Sequence, residues 1–255
     1  MISLPSPPKV IEKKDHLAIF EIEALWPGHG ITIGNSLRRV LLSSLPGAAI
    51  TQVKIKGVQH EFSTIPGVLE DMVTILLNLK QLRFKLYTEE PQKAKLSVKG
   101  EKVAKGSDFD LSSQLELVNK ETQVATLTSK KAELEIEILV ERGLGYEPVE
   151  SRKKGKLETG TIAIDAIFTP VRKVSYRVEN MRVGERTDFD RLFLELETDG
   201  TVSPEQAFSQ ASEILVKHFS LFKETFPREE KPEPALKPPV KKRVKKHAKK
   251  RKKTK

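Results

Sequence analysis

The chain has 255 residues, 38% hydrophobic and 31% charged, enough apolar material for one or two packed domains. Its net charge of +10 is concentrated: of the 45 Lys and Arg, twelve lie in residues 237–255, which hold no acid, so residues 1–236 carry 33 basic against 35 acidic groups and sum to −2. The absence of cysteine excludes disulfides, thiolate metal sites and thiol nucleophiles, and no apolar run reaches the roughly 18 residues of a membrane span.

In chain order, the segment Met1–Val10 is proline-rich and has no charged-then-apolar leader pattern, so it is expected to be poorly ordered and the protein to stay in the cytoplasm. Leu17–Glu23 is the first strand candidate. The run Gly28-His29-Gly30-Ile31-Thr32-Ile33-Gly34 reads as an ordinary turn, because its G-x-G-x-x-x-G spacing and the preceding Pro27 depart from a dinucleotide-binding loop. A helix is predicted over Gly34–Leu45, with Leu37, Val40, Leu41 and Leu45 on one face and Pro46-Gly47 as its stop.

Thr51, Val53 and Ile55 alternate with polar residues as a half-buried strand does. A second helix is predicted over Leu69–Leu82, its stripe being Met72, Ile75, Leu76 and Leu79, with Glu70-Asp71 placed to meet the N-terminal end of the helix dipole. Further strands are expected at Ala94–Val98, Leu134–Val140, Ile162–Phe168, Val174–Val178 and Leu192–Glu197, with Glu133, Glu135 and Glu137 on a solvated face. The third helix, Pro204–Thr225, opens with Ser203, Pro204 and Gln206 in a capping-box pattern and carries the stripe Ala207, Ala211, Ile214, Leu215, His218 and Phe222. Strands and helices without regular βαβ alternation favour an α+β fold. Leu42, Leu221 and Phe226 lie off the stripes, and helices apolar on more than one side suit either deep burial or self-association.

Catalytic chemistry is not written in this chain. No P-loop is present, and His16, His29, His60, His218 and His247 are scattered without a metal-binding spacing, so no cofactor, metal or catalytic residue is expected.

The run from Gly30 to Ala49, with Asn35-Ser36-Leu37-Arg38-Arg39-Val40-Leu41-Leu42 at its centre, resembles the signature of the bacterial-type RNA polymerase alpha subunit. Val58-Gln59-His60-Glu61-Phe62-Ser63-Thr64-Ile65-Pro66-Gly67-Val68 with Glu70-Asp71, then Arg142-Gly143-Leu144-Gly145-Tyr146, Arg186-Thr187-Asp188-Phe189-Asp190 and Glu197 to Glu205 are similar to further blocks of that family, in family order. The resemblance implies a discontinuous dimerisation domain, residues 1–48 plus 169–228, interrupted by a β-rich insert domain, residues 49–168. It implies a non-catalytic homodimer on which the beta and beta-prime subunits of DNA-directed RNA polymerase assemble.

By the same resemblance Arg39 and Leu42 fall at the beta contact, and Lys80 and Ile164 at the beta-prime contact. The dimer interface falls on Leu37, Val40, Leu41, Leu45, Ala211, Ile214, Leu215, His218 and Phe222. Arg39 suits its role physically, since a guanidinium offers five rigid donors to acidic or carbonyl groups. The location implied is cytoplasmic and nucleoid-associated, or the plastid stroma for a plastid-encoded chain.

The expected departure is at the C-terminus, where residues 229–255 read as a disordered, proline-rich then basic tail in place of the family's second helical domain. Two readings of it stand side by side, a solubilising segment and a non-specific DNA contact through Lys241, Lys242, Arg243, Lys245, Lys246, Lys249, Lys250 and Arg251. The alternative function for the whole chain is a stand-alone nucleic-acid-binding protein acting through this tail. The near-neutral body, with three Tyr and one Trp, offers that alternative little for stacking or phosphate contact.

Overall fold

The computed structural model describes residues 2–152 and 160–225. In chain order its strands are β1 (Lys9–Lys14), β2 (Leu17–Leu25), β3 (Pro46–Ile55), β4 (Phe84–Leu86), β5 (Gln92–Lys99), β6 (Lys102–Lys105), β7 (Phe109–Asp110), β8 (Leu115–Leu117), β9 (Gln123–Leu127), β10 (Glu133–Leu144), β11 (Tyr146–Glu147), β12 (Thr161–Ala163), β13 (Ala166–Ile167), β14 (Val171–Val183) and β15 (Arg186–Thr198). Three α-helices join them, α1 (His29–Ser43), α2 (Met72–Lys80) and α3 (Pro204–Thr225). The fold class is α+β, with two main hydrophobic cores and two small clusters beside them among the described residues.

The first core lies on an antiparallel sheet of order β1-β2-β15-β14, built from the two ends of the described chain. Alternation puts Ala18 and Phe20 of β2, Leu194 and Leu196 of β15 and Val174 of β14 in one cluster, where Leu37 and Leu41 of α1 and Ala207 and Ala211 of α3 cover them. Phe20 stacks on Phe208 at 4.8 Å between ring centroids. Charge pairs cross the same strands: Arg191 sits 3.5 Å from Glu21 and 3.2 Å from Glu23, and Lys173 lies 2.8 Å from Glu195.

Helix α1 begins five residues before its predicted start. Gly28, at φ 82°, turns the chain, and the buried carboxylate of Asp190 accepts the Gly30 N–H at 2.9 Å, a cap supplied across the fold in place of a local side chain. The glycine run that reads as a turn is therefore the first turn and a half of a helix. Its glycines allow close approach to the sheet: a Cβ on Gly30 would lie 2.8 Å from Val178 Cγ1, and one on Gly34 2.7 Å from Tyr176 Cδ2.

The second core belongs to a sheet of order β7-β5-β10-β3-β4-β8, with β12 also paired to β3, and to α2, which buries Met72, Ile75, Leu76 and Leu79. Ile50, Val53, Ile55, Leu96, Leu134, Ile136, Ile138 and Val140 alternate into it. The intervening residues form an ion-pair ladder, Lys99 with Glu133 at 2.7 Å, Lys56 with Glu135 at 3.3 Å and Lys95 with Glu137 at 3.7 Å, so the acidic row of β10 is solvated but paired.

Three local expectations need correction. The N-terminal segment is not wholly irregular, since β1 pairs with β2 and Ser6 N–H bonds the Glu23 carbonyl at 2.9 Å. The predicted strand Ile162–Phe168 divides, because the chain leaves β3 after Ala163 to pair β13 with β11. Of the acidic pair before α2, only Asp71 caps the helix, accepting the Thr74 N–H at 2.8 Å. Glu70 turns away to take the N–H and hydroxyl of Thr126 at 2.6 and 2.9 Å, pinning β9. The capping box of α3 is present in both directions between Ser203 and Gln206, each bond 3.3 Å.

Compactness divides the chain after His218. The second unit, as far as it is described, continues α3 through Thr225 and exposes Phe219, Leu221 and Phe222.

Candidate subunit-interaction site

The outer face of α1 holds Arg39 and Leu42, one helical turn apart. Arg39 is exposed and its guanidinium has no partner among the described residues, while Leu42 is half-buried at the rim of the first core. The hydroxyls around them are satisfied inside the helix, Ser36 donating to the Thr32 carbonyl at 2.7 Å and Ser43 to the Arg39 carbonyl at 2.8 Å. Ile31 stands 60% exposed two turns before Arg39. The result is a mixed, hydroxyl-quenched surface on which Arg39 has no partner among the described residues, and Ile31 is a member that sequence reasoning missed because it lies in the run taken for a turn.

Lys80 and Ile164 are brought together through the residue after Ile164. Lys80 Nζ donates to Asp165 Oδ2 at 3.1 Å, and Asp165 Oδ1 accepts the Val149 N–H at 3.1 Å. That backbone bond and the Lys80 ammonium hold the Asp165 carboxyl below its ordinary value near 3.8, with the Tyr146 hydroxyl adding to the effect. Ile164 is only 5% exposed and packs in the second core, so in the single chain its side chain presents little surface for the expected contact. What α2 does offer is Val73 and Leu77, both exposed, in line with Lys80 at spacings of four and three. The even apolar content of α2 hid them, since a helix apolar on several sides gives no stripe to subtract from.

The depressed Asp165 pKa makes this ion pair a stabilising contact that is complete above the ordinary carboxylate value and is lost as pH falls through the lower folded value. Both groups are partly exposed, so Asp165→Asn should cost under ~1 kcal/mol at neutral pH. Urea titrations of the two proteins should converge as pH is lowered below about 3.8; an undiminished difference there would place the effect elsewhere.

The apolar faces expected at a dimer interface divide sharply. Leu37, Leu41, Leu45 and Ala211 are buried within the protomer, at 4%, 0%, 1% and 0% exposure, so their surface is used by the first core and they have nothing to present to a partner. Val40, Ile214 and Leu215 are half-buried around the same core. His218 and Phe222 are exposed. Phe219, which was not anticipated, lies edge-to-face with Phe222 at 6.3 Å between centroids. The candidate DNA contacts Lys241, Lys242, Arg243, Lys245, Lys246, Lys249, Lys250 and Arg251 lie outside the described residues.

Among the described residues no group of His, Asp and Glu could hold a metal ion, and no helix is long and apolar enough to cross a membrane.

Residues 53–169 match the RNA polymerase Rpb3/RpoA insert domain family. The DNA-directed RNA polymerase subunit alpha of Roseiflexus sp. (strain RS-1) is 50% identical over 210 residues, 82% of this chain and 64% of that protein. Those of Carboxydothermus hydrogenoformans and Desulfitobacterium hafniense are 47% and 48% identical, over 83% and 84% of this chain and 67% and 69% of theirs. The chain thus spans about 64% of the length of relatives such as the Roseiflexus protein. With 48% identity to the Desulfitobacterium subunit over 84% of this chain and 69% of that protein, this chain belongs to the DNA-directed RNA polymerase alpha subunit family.

Proposed function

We propose that the chain is a non-catalytic assembly subunit of DNA-directed RNA polymerase, a homodimer that carries the beta and beta-prime subunits and so serves the nucleotidyl transfer of the complex. Residues 1–48 with 169–228 form the dimerisation domain and residues 49–168 the insert domain. The observation that carries the reading is the exposed face of α1, where an unpartnered Arg39 stands among internally satisfied hydroxyls beside Leu42 and Ile31. A free guanidinium on a partly apolar surface suits a protein partner with acidic or carbonyl groups.

Arg39 and Leu42 contact beta, and Lys80 contacts beta-prime with Val73 and Leu77 beside it. Phe219 and Phe222 supply exposed apolar surface for the second copy. The basic residues 241–251 contact DNA without base specificity. A stand-alone nucleic-acid binder is not favoured, because the relatives across more than four-fifths of the chain are polymerase subunits.

Tagged chain recovered from native lysate in high salt should bring down one beta and one beta-prime for every two copies of itself. Nucleic acid recovered in low salt, with no large subunit retained in high salt, would overturn the reading.

A further inference from the structure

A cleft of about 580 Å³ opens where the residues after α2 meet the start of β14, and two arginines, Arg83 and Arg172, line it with Asp199, Asn119, Thr122 and Thr169. Arg83 is anchored at its backbone, its N–H bonded to Asn119 Oδ1 at 2.8 Å and its carbonyl to the Val118 N–H at 2.9 Å. Its side chain is 18% exposed, and its Nε is buried with no hydrogen-bond partner. The nearest carboxylate oxygen, Asp199 Oδ2, is 3.7 Å from that nitrogen, beyond hydrogen-bond reach, while Asp199 Oδ1 is occupied by the N–H and hydroxyl of Thr201 at 2.9 and 2.6 Å.

Arg172 is exposed and has no ion-pair partner among the described residues. Burial, reinforced by repulsion from Arg172 against the pull of Asp199, lowers the Arg83 pKa. A guanidinium removed from water without a completed partner set is costly, and a second one facing the same space adds to that cost.

Two other polar side chains of the lining are already used. Asn119 Nδ2 donates to the Gln81 carbonyl and to Thr122 Oγ1, and Thr169 Oγ1 bonds the Val171 backbone. The cationic donors of the lining are the two guanidiniums, with the Gln81 amide and Thr122 hydroxyl as neutral ones. Two positive groups against one resident carboxylate leave one unit of charge to be balanced, which one further carboxylate does and a phosphate dianion overshoots beside Asp199. No aromatic ring lines the cleft, so it has no stacking platform for a nucleobase. Gln81 directly follows Lys80, and Ile167 and Thr169 follow Asp165, so the cleft lining is drawn from the same two chain segments as the ion pair of Lys80, the residue assigned above to beta-prime.

We propose that this cleft receives an aspartate or glutamate side chain of the beta-prime subunit, held between Arg83 and Arg172. The inference rests on the assembly reading above and adds the chemistry of one contact. Arg172 is the outer arm and Arg83 the fixed inner arm, and a carboxylate entering between them completes an alternating set of two cations and two anions with Asp199.

The test compares full-length tagged wild type, Arg172→Glu and Lys80→Glu, each co-expressed with beta and beta-prime and purified at about 0.15 M salt. Arg172→Glu, at an exposed position, should retain beta-prime at least about tenfold less than wild type while keeping beta and the second copy. Loss of beta-prime from Lys80→Glu alone would overturn the cleft contact and leave the assembly reading standing. Retention by both variants would overturn the cleft contact and the Lys80 contact alike, while wild type that retains no beta-prime would overturn the assembly reading. Thermal melting of the isolated wild-type chain with sodium malonate or inorganic phosphate separates the remaining case: a rise abolished by Arg172→Glu, with beta-prime retention unchanged, would assign the cleft to a free anion and overturn the proposal.

Discussion

Gly47→Ala should destabilise the protomer by about 3 kcal/mol or more, the largest single-methyl effect expected in this fold. A Cβ at Gly47 would stand 1.8 Å from the Phe168 carbonyl oxygen, a backbone atom that cannot rotate away. Phe168 is itself fixed: its N–H bonds the Gly145 carbonyl at 2.8 Å, and its ring is 4% exposed in a cluster with Ala49 and Ala166. Across the strand pair, Gly143 faces Gly47, and a Cβ there would lie 2.5 Å from the same ring. The two glycines of β3 and β10 form a slot that admits Phe168, and filling it must displace Phe168, with β13 just before it, or bend β3. Gly57→Ala is the control, since Gly57 has φ 81° but open space around its Cβ position, so only the left-handed backbone cost of roughly 1–2 kcal/mol applies. Urea unfolding at matched protein concentration measures both. Equal destabilisation by the two substitutions would show that the slot relaxes freely.

Residues such as these mark the boundary of what a sequence can tell. Pro46-Gly47 does end α1 as a local signal, but the oxygen that forbids a side chain at Gly47 comes from a residue 121 positions later in the chain. The same holds for α1: Gly30 and Gly34 weaken a helix locally, and only the nearness of Val178, Tyr176 and Leu192 explains them. The cap is equally remote, since Asp190 is 160 residues from Gly30.

The start of helix α3 was legible because its capping box and proline are local. Strands β2, β5 and β10 were legible at their centres, where buried residues alternate with more exposed ones, and each runs past its predicted bounds. Strand β1 has every side chain exposed and therefore no alternation to read, and it exists because β2 offers an edge. The short strands β4, β6, β7 and β8 give two to four residues of pattern, too little to separate from a loop.

At the candidate site the limits have the same physical origin. The family motifs locate Arg39, Leu42 and Lys80 on surfaces, yet periodicity cannot tell which apolar face of a helix is turned inward. Leu37, Leu41 and Ala211 share the stripes of Val40 and Ile214, and it is the β2 and β15 side chains that bury the first set. The arginine cleft was invisible for a further reason. Arg83, Arg172 and Asp199 are far apart in sequence and individually unremarkable, and only the fold leaves Arg83 Nε buried without a partner.

Substituting both Phe219 and Phe222 by aspartate should convert the proposed homodimer to monomers at micromolar concentration while leaving the protomer folded. The two rings are 61% and 59% exposed, and Leu221 beside them is 60% exposed, so the fold gains little from them as a single chain. Burying an apolar side chain of this size contributes roughly 1.5–3 kcal/mol, and paired aromatics are the groups on which association energy concentrates. Losing two, and placing charge in the contact, should weaken association by roughly 100-fold or more. Sedimentation velocity reads the mass, and circular dichroism with urea unfolding reads the fold. Leu41→Asp is the counterpart, because Leu41 has no exposed surface: that change should unfold the protomer and so report on the core instead of the interface. A double variant that stays dimeric with an unchanged dissociation constant would remove the end of α3 from the interface. Association would then have to use other apolar surface of the dimerisation layer, such as exposed Val216 or the half-buried rim of Val40, Ile214 and Leu215.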